Sequence, residues 1–279
     1  MPARQPLILL KETVAGGMDA PALVLLHGFL GTRKDWRPIV EELVPEYRCI
    51  SVDLPGHGGS FVKDPARGFT FDAFCDVLNA RLDELKVDQM ALLGYSMGGR
   101  MALYYALRHP DRIRQLVLES ASPGLKTLEE RQRRRQSDIQ LAAQLDRIAE
   151  TEGDRLPRSF LLEWYAQPLF LTLKRHPETL ERLLQRREQN QPVRLARSLR
   201  GLGTGMQPSL WERLPELAAP TLLIVGEEDR KFRQIAEQMQ ELSPRIALEV
   251  LGSCGHNVHL ENLAGYTTVL KSFLATAGR

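Results

Sequence analysis

Only three cysteines occur in the 279 residues, Cys49, Cys75 and Cys254, widely spaced and free of any CxxC pair. That scarcity argues against a disulfide framework or a cysteine zinc site, and it points to a reducing cytoplasm. An excess of charge is missing too: 37 Lys+Arg stand against 35 Asp+Glu, a formal net charge of +2. The balance argues against a basic nucleic-acid binder and an acidic disordered tail alike. No apolar run approaches the ~18 residues of a membrane span. The run near the start, Leu7 to Leu10 within Met1 to Lys11, is too brief for the apolar part of a secretion signal. Internal repeats and low-complexity tracts are absent, although Arg131 to Arg135 is a local charge run.

What is present, 43% hydrophobic and 26% charged residues with 21 Gly and 17 Pro, is the composition of a folded soluble protein. Arginine outnumbers lysine 29 to 8, and Lys126 to Pro215 carries a net +5 that leaves −3 for the rest. Short apolar runs recur at Ala22 to Leu26, Cys49 to Val52, Met90 to Leu93, Leu116 to Leu118, Thr221 to Val225 and Leu248 to Leu251. Runs of this length read as strands buried on both faces, as in a parallel sheet covered by helices. Helical patterns follow at about Trp36 to Leu43, Phe71 to Leu85, Met97 to Arg108, Lys231 to Leu242 and Leu263 to Ala275. Between Gly124 and Pro208 the strand signal stops, and Arg- and Gln-rich helical sequence is punctuated at Pro157, Pro168, Pro177 and Pro192. A helical block inside a strand–helix alternation is expected to lie on the sheet's edge as a lid. The expected organisation is a core of residues 1–123 and 209–279 with a lid of residues 124–208.

Gly94-Tyr95-Ser96-Met97-Gly98 directly follows the run Met90 to Leu93 and opens a helical pattern. In a G-x-S-x-G elbow the serine sits on a tight strand-to-helix turn, so small residues must flank it. A serine hydroxyl becomes reactive when a histidine takes its proton and a carboxylate holds that histidine in the right tautomer. The elbow architecture orders these groups Ser, acid, His along the chain. Asp229 follows the run Thr221 to Val225, with Glu227 and Glu228 competing for the role; His256 follows Leu248 to Leu251, with His259 as its competitor. Backbone N–H groups of Phe29 and Met97 are the expected oxyanion donors. His27 and His57 read as loop-organising histidines beside glycine turns, His27 having a second base as its alternative role. Trp36 and Trp211 read as packing residues, with Ser209 as a possible cap for a helix containing Trp211.

Together HGF, DLPGHGGS, GYSMGG, GEED and CGH resemble the α/β-hydrolase fold over essentially the whole chain. The implied fold is a mostly parallel sheet flanked by helices, with a helical lid inserted after the sixth strand. Finer matches are GYSMGGR (94–100), SPGL (122–125), Arg134 with QSD (136–138), WYAQPLF (164–170), GTGMQPSLW (203–211), DRKF (229–232) and GHNVH (255–259). These resemble the 2-succinyl-6-hydroxy-2,4-cyclohexadiene-1-carboxylate synthases of menaquinone biosynthesis, lyases on this fold. The resemblance implies elimination of pyruvate from a cyclohexene carboxylate bearing succinyl and enolpyruvyl groups, with Ser96, His256 and Asp229 working as a base. It also implies carboxylate binding by Arg100, Arg134 and Arg187, the last with Arg186 as its competitor, and a pocket lined by Tyr95, Trp164 and Phe170. A planar arginine fork suits that task because it grips a carboxylate through two charge-assisted bonds. Leu263 stands where the family tail usually has proline.

No metal or organic cofactor is called for, and the expected partner is a small polycarboxylate rather than nucleic acid or membrane. A monomer is compatible with the sequence. Two other activities compete: a cytoplasmic esterase or C–C hydrolase using Ser96 as a covalent nucleophile, and a non-catalytic binding protein, against which the complete triad speaks.

Overall fold

The computed structural model describes residues 7–278; residues 1–6 of the N-terminal stretch and residue 279 lie outside the described residues. The strands are β1 (Ile8–Leu9), β2 (Glu12–Ala15), β3 (Ala22–Leu26), β4 (Arg48–Val52), β5 (Phe61–Val62), β6 (Met90–Tyr95), β7 (Ile113–Glu119), β8 (Thr221–Gly226) and β9 (Ile246–Leu251). Each of the six recurring apolar runs lies inside one of them, and the run Leu7 to Leu10 brackets β1. One sheet joins seven strands in the order β2-β4-β3-β6-β7-β8-β9, with β2 antiparallel to its neighbour and the rest parallel.

The helices are α1 (Arg37–Leu43), α2 (Pro65–Gly68), α3 (Phe71–Glu84), α4 (Met97–Arg108), α5 (Leu128–Thr151), α6 (Arg158–Tyr165), α7 (Pro177–Arg187), α8 (Pro192–Leu202), α9 (Arg230–Glu241), α10 (Val258–Glu261) and α11 (Leu263–Leu274). They cover both faces of the sheet, which is why its central strands are continuously apolar. In β3 the alternation divides the core. Val24 and Leu26 pack with Phe74, Met101, Tyr105 and Met239 from α3, α4 and α9, whereas Leu23 and Leu25 pack with Ile39 of α1 and Tyr266 and Leu270 of α11. Among the described residues no helix is long and apolar enough to cross a membrane.

Helices α5 to α8 fill the interval between β7 and β8. They follow the seventh strand of the chain and the fifth of the large sheet, not the sixth as expected. The count shifts because β1 and β5 form a separate two-stranded ribbon. The prolines mark starts: Pro157 precedes α6, Pro168 opens a 3-10 segment, and Pro177 and Pro192 open α7 and α8. A first-turn proline has no N–H to lose from the helical ladder and a pre-set φ. Thr127 starts α5 with a capping box: its hydroxyl accepts from Glu130 N–H at 3.1 Å, and the Glu130 carboxylate accepts from Thr127 N–H at 3.0 Å. The apolar faces of these helices meet in a cluster of their own, including Leu145, Leu161, Leu183 and Leu195, which also takes in Leu30 from the loop after β3.

Two local readings change. Trp36 ends a 3-10 turn (Arg33–Trp36) and α1 begins only at Arg37, with Pro38 in its first turn. Ser209 is not a cap, because the turn Trp211–Glu216 starts after Leu210 without a side-chain bond; Trp211 instead donates its indole N–H to Gly124 C=O at 2.9 Å. His259 and Glu261 belong to α10. The last helix is capped by Asn262, whose side chain accepts from Gly265 N–H at 2.9 Å, and Leu263 takes its first position.

Candidate active site

Strand β6 lies mid-sheet and ends at Tyr95, and α4 starts two residues later, so the whole reversal falls on Ser96. Its backbone takes φ +50°, ψ −108°, a strained conformation for a residue with a side chain. Strand and helix are in contact across the turn. A Cβ on Gly94 would stand 2.4 Å from Gly98 C=O oxygen, and one on Gly98 would stand 2.2 Å from that of Leu26 in β3. Ser96 N–H donates to Glu119 C=O of β7 at 2.8 Å, which fixes the turn to the neighbouring strand.

Ser96 Oγ lies 3.1 Å from His256 Nε2, and His256 Nδ1 lies 2.6 Å from Asp229 Oδ2. With its Nδ1–H donated to the carboxylate, the ring presents an accepting Nε2 to the serine hydroxyl. Asp229 comes from the turn after β8 and caps α9, its Oδ1 accepting from Phe232 N–H at 3.3 Å. The competing groups are engaged elsewhere. Glu228 binds Arg175 at 2.7 Å, Glu227 accepts from Ser253 N–H at 3.3 Å, and His259 is held by the buried Glu119 carboxylate at 2.8 and 2.9 Å.

Met97 opens α4, so its N–H lies outside the helical ladder at the positive end of the helix dipole. Phe29 follows Gly28, where a Cβ would stand 2.6 Å from the Tyr95 ring and 3.5 Å from Ser96 Cβ; the loop therefore passes close to the serine. Buried His27 shapes that loop, donating through Nδ1 to Gly28 C=O at 2.8 Å while Nε2 accepts from Leu54 N–H at 3.0 Å. Burial lowers its pKa, and that of His57 more strongly, so both remain neutral spacers. From the helical insertion, Asn190 donates to Leu30 C=O at 2.7 Å and pins the same loop.

All eleven residues expected at the site, Ser96, Asp229, His256, Phe29, Met97, Arg100, Arg134, Arg187, Tyr95, Trp164 and Phe170, line one cavity of about 590 Å³. Arg100 is buried, and its fork rests on neutral acceptors, Gln207 Oε1 at 3.2 Å and Leu202 C=O at 3.1 Å. Burial, with the positive charge of Arg134 nearby, pushes it down to about 10. Arg134 is half-exposed and donates Nε to Asp138 at 2.8 Å. Arg187, rather than Arg186, reaches the cavity wall, with both terminal nitrogens on Asp35 at 3.0 and 2.7 Å. Phe170 and Phe232 rings flank His256 at 5.8 and 4.6 Å, and Trp164 lies 5.5 Å from Phe29. Trp36, expected to serve packing, is fully buried and also borders the cavity.

Sequence reasoning missed Asp35, Glu119, Asp138 and Gln207 as organisers of this site. Their signal in the sequence is slight: each is a polar residue within or beside an apolar or motif stretch, and its partner is distant in sequence for all but Asp138–Arg134. Asp35 has a measurable consequence. Burial alone would raise its carboxyl, but the Arg187 guanidinium overrides that and holds it at about 2. A carboxyl whose folded pKa is depressed stabilises the fold above its unfolded value near 4 and loses that contribution as pH falls toward 2. The difference corresponds to about 2 kcal/mol. Urea unfolding of Asp35→Asn is expected to show a flatter stability profile between about pH 4 and pH 2 than wild type; equal slopes would contradict the pairing.

A sequence profile of the alpha/beta hydrolase fold family matches residues 21–263. The chain is 38% identical over 262 residues to a putative 2-succinyl-6-hydroxy-2,4-cyclohexadiene-1-carboxylate synthase of Bacillus subtilis, covering 94% of this chain and 93% of the relative. It is 34% identical over 268 residues to the synthase of that name from Citrobacter koseri, with 96% and 99% covered. Among solved structures, MenH from S. aureus superposes with a TM-score of 0.87 at 35% identity, covering 97% of this chain and 99% of that one. Fold, motifs and near full-length similarity agree: the chain belongs to the 2-succinyl-6-hydroxy-2,4-cyclohexadiene-1-carboxylate synthase family of the α/β-hydrolase fold.

Proposed function

We propose that the protein eliminates pyruvate from 2-succinyl-5-enolpyruvyl-6-hydroxy-3-cyclohexene-1-carboxylate to give 2-succinyl-6-hydroxy-2,4-cyclohexadiene-1-carboxylate, with the triad as its base. The observation that carries this reading is the pairing of two features in one cavity. Ser96 stands in a hydrogen-bonded chain with His256 and Asp229, and the same walls hold Arg100, a buried cation resting on neutral acceptors. A carboxylate ligand supplies the negative charge such a cation favours.

His256 Nε2 takes the Ser96 hydroxyl proton as Ser96 Oγ takes the ring proton alpha to the succinyl ketone. The electron pair left on carbon delocalises into the ketone, and the Phe29 and Met97 amides donate to the enolate oxygen. Collapse of the enolate forms the C2=C3 double bond, shifts the C3=C4 double bond to C4=C5 and breaks the C5–O bond to the enolpyruvyl group. That bond's electrons leave with pyruvate enolate, which takes a proton to become pyruvate. Asp229 stabilises the imidazolium formed on the way. Arg100 and Arg134 hold substrate carboxylates; Arg187, paired with Asp35, supports the cavity wall beside the Phe29 loop. Tyr95, Trp164 and Phe170 line the apolar part of the pocket.

In this reading residues 1–123 and 209–279 form the catalytic core, and residues 124–208, with helices α5 to α8, form its lid. Three free, buried cysteines fit work in the cytoplasm. Arg134→Ala is expected to raise KM by about 10- to 100-fold with the thermal transition retained, since a charge-assisted contact is lost from a half-exposed side chain. A collapsed transition in that variant would make Arg134 structural.

The same serine, histidine and aspartate geometry would also serve an esterase or C–C hydrolase, the second reading. Rapid mixing with a p-nitrophenyl ester separates the two. The lyase reading predicts little turnover and no acyl adduct on Ser96, whereas a nitrophenol burst with a Ser96 acyl-enzyme would support the hydrolase.

A further inference from the structure

Two motifs have no part in the reaction drawn above, Gln136-Ser-Asp138 and Gly203-Thr-Gly-Met-Gln207, yet they meet behind Arg100 and Arg134. Asp138 is buried, and its carboxylate takes one donor from each side: Arg134 Nε on Oδ1 at 2.8 Å and Gly205 N–H on Oδ2 at 3.1 Å. Gln207 is fully buried, accepting from Arg100 Nη1 at 3.2 Å and donating through Nε2 to Ser122 C=O at 3.3 Å. The loop 203–207 therefore carries both contacts, one toward each arginine. It is also wedged in place. A Cβ on Gly203 would stand 2.5 Å from Asp138 Oδ2, and one on Gly205 would stand 2.4 Å from Arg135 N in α5. Neither Asp138 nor Gln207 is among the residues lining the cavity.

The chemistry of the two supports differs in a telling way. Half-exposed Arg134 is held by a carboxylate through Nε, and its pair is open to solvent on one side. Buried Arg100 is held by an amide and a backbone carbonyl. A glutamate at 207 would offer the same hydrogen bond but would also neutralise Arg100 inside the protein. Glutamine orients the fork and leaves its charge for the cavity.

We propose that Gln207 and Asp138 are positioning residues that hold the forks of Arg100 and Arg134 at a fixed spacing through the 203–207 loop, so that the site selects polycarboxylates matching that spacing. The inference rests on the polycarboxylate reading of the cavity. A fixed pair of forks loses little freedom on binding, which favours a matching ligand over a looser one.

The test uses the full chain, with citrate as a calorimetric probe, KM and kcat for pyruvate release, and labelling of Ser96 by a fluorophosphonate. Gln207→Glu is expected to weaken citrate binding and raise KM by about 10- to 100-fold, a larger change than in kcat, with labelling retained. Gln207→Met, close in size but neutral, is expected to lose about tenfold or less. Asp138→Asn is expected to raise KM in the same direction and gives the same readouts if Gln207→Glu does not fold. Equal effects of the Glu and Met exchanges, citrate binding unchanged in Gln207→Glu and Asp138→Asn, labelling lost in step with binding, or a wild type that does not bind citrate would each overturn the proposal. Citrate binding and serine labelling do not depend on the lyase reaction, so failure of pyruvate release alone would sink that reaction and leave this inference standing.

Discussion

His256→Ala is expected to lower kcat for pyruvate release by about 10²- to 10⁴-fold, the range of a positioned base. The reason is chemical. Ser96 cannot remove a carbon-bound proton while it keeps its own, and His256 Nε2 at 3.1 Å is the acceptor the structure offers it. His259 Nδ1 is tied to Glu119, and His27 uses both ring nitrogens on backbone groups. In the proposed reaction the substrate's carboxylates are held by Arg100 of α4 and Arg134 of α5, which this substitution leaves in place, so KM is expected to move far less than kcat. Steady-state kinetics with urea unfolding as a control measures both; a loss below about tenfold would mean that another group activates Ser96.

The second large effect is on stability. Gly98→Ala is expected to destabilise the protein by about 3 kcal/mol or more, because overpacking here presses on backbone rather than on a side chain that could rotate away. The added Cβ would stand 2.2 Å from Leu26 C=O oxygen and 2.5 Å from that of His27. Relief requires α4 to move off β3, which takes Ser96 and the Met97 amide away from the Phe29 loop. The expected Tm loss is about 5–10 °C, accompanied by loss of activity. Gly17→Ala is the matched control, since a Cβ there meets nothing within 4 Å. Equal melting of Gly98→Ala and wild type would contradict the tight elbow.

Much of this was readable because the signals are local. A serine between small residues after a buried strand places the elbow, and Met97–Arg108 forms the helix expected there. The central strands announce themselves because both faces are buried. Edge strands do not: β2, Glu-Thr-Val-Ala, has no residue fully buried, so it carries no apolar run. The other edge strand, β9, begins two residues earlier than its run, at buried Ile246, and its apolar pattern is broken by exposed positions including Glu249. Asp35, Glu119 and Gln207 stayed hidden because their partners stand 152, 140 and 107 residues away. Their roles depend on which loops the fold brings together, and no local pattern records that.

The Arg-rich character of residues 126–215 acquires a more limited meaning in the structure. Arg200 pairs with Asp146, Arg158 with Glu181 and Glu188, and Arg187 with Asp35. These pairs tie helix to helix and helix to loop. In the cavity the distinctive cation comes from outside the insertion: Arg100, one turn along α4 from Ser96.

The most direct test of the account is to supply the enolpyruvyl cyclohexene carboxylate to the wild type and to Ser96→Ala and follow pyruvate release. The account predicts pyruvate in step with appearance of the cyclohexadiene from the wild type, and almost none from Ser96→Ala. No pyruvate from the wild type, or equal release by the two proteins, would contradict it.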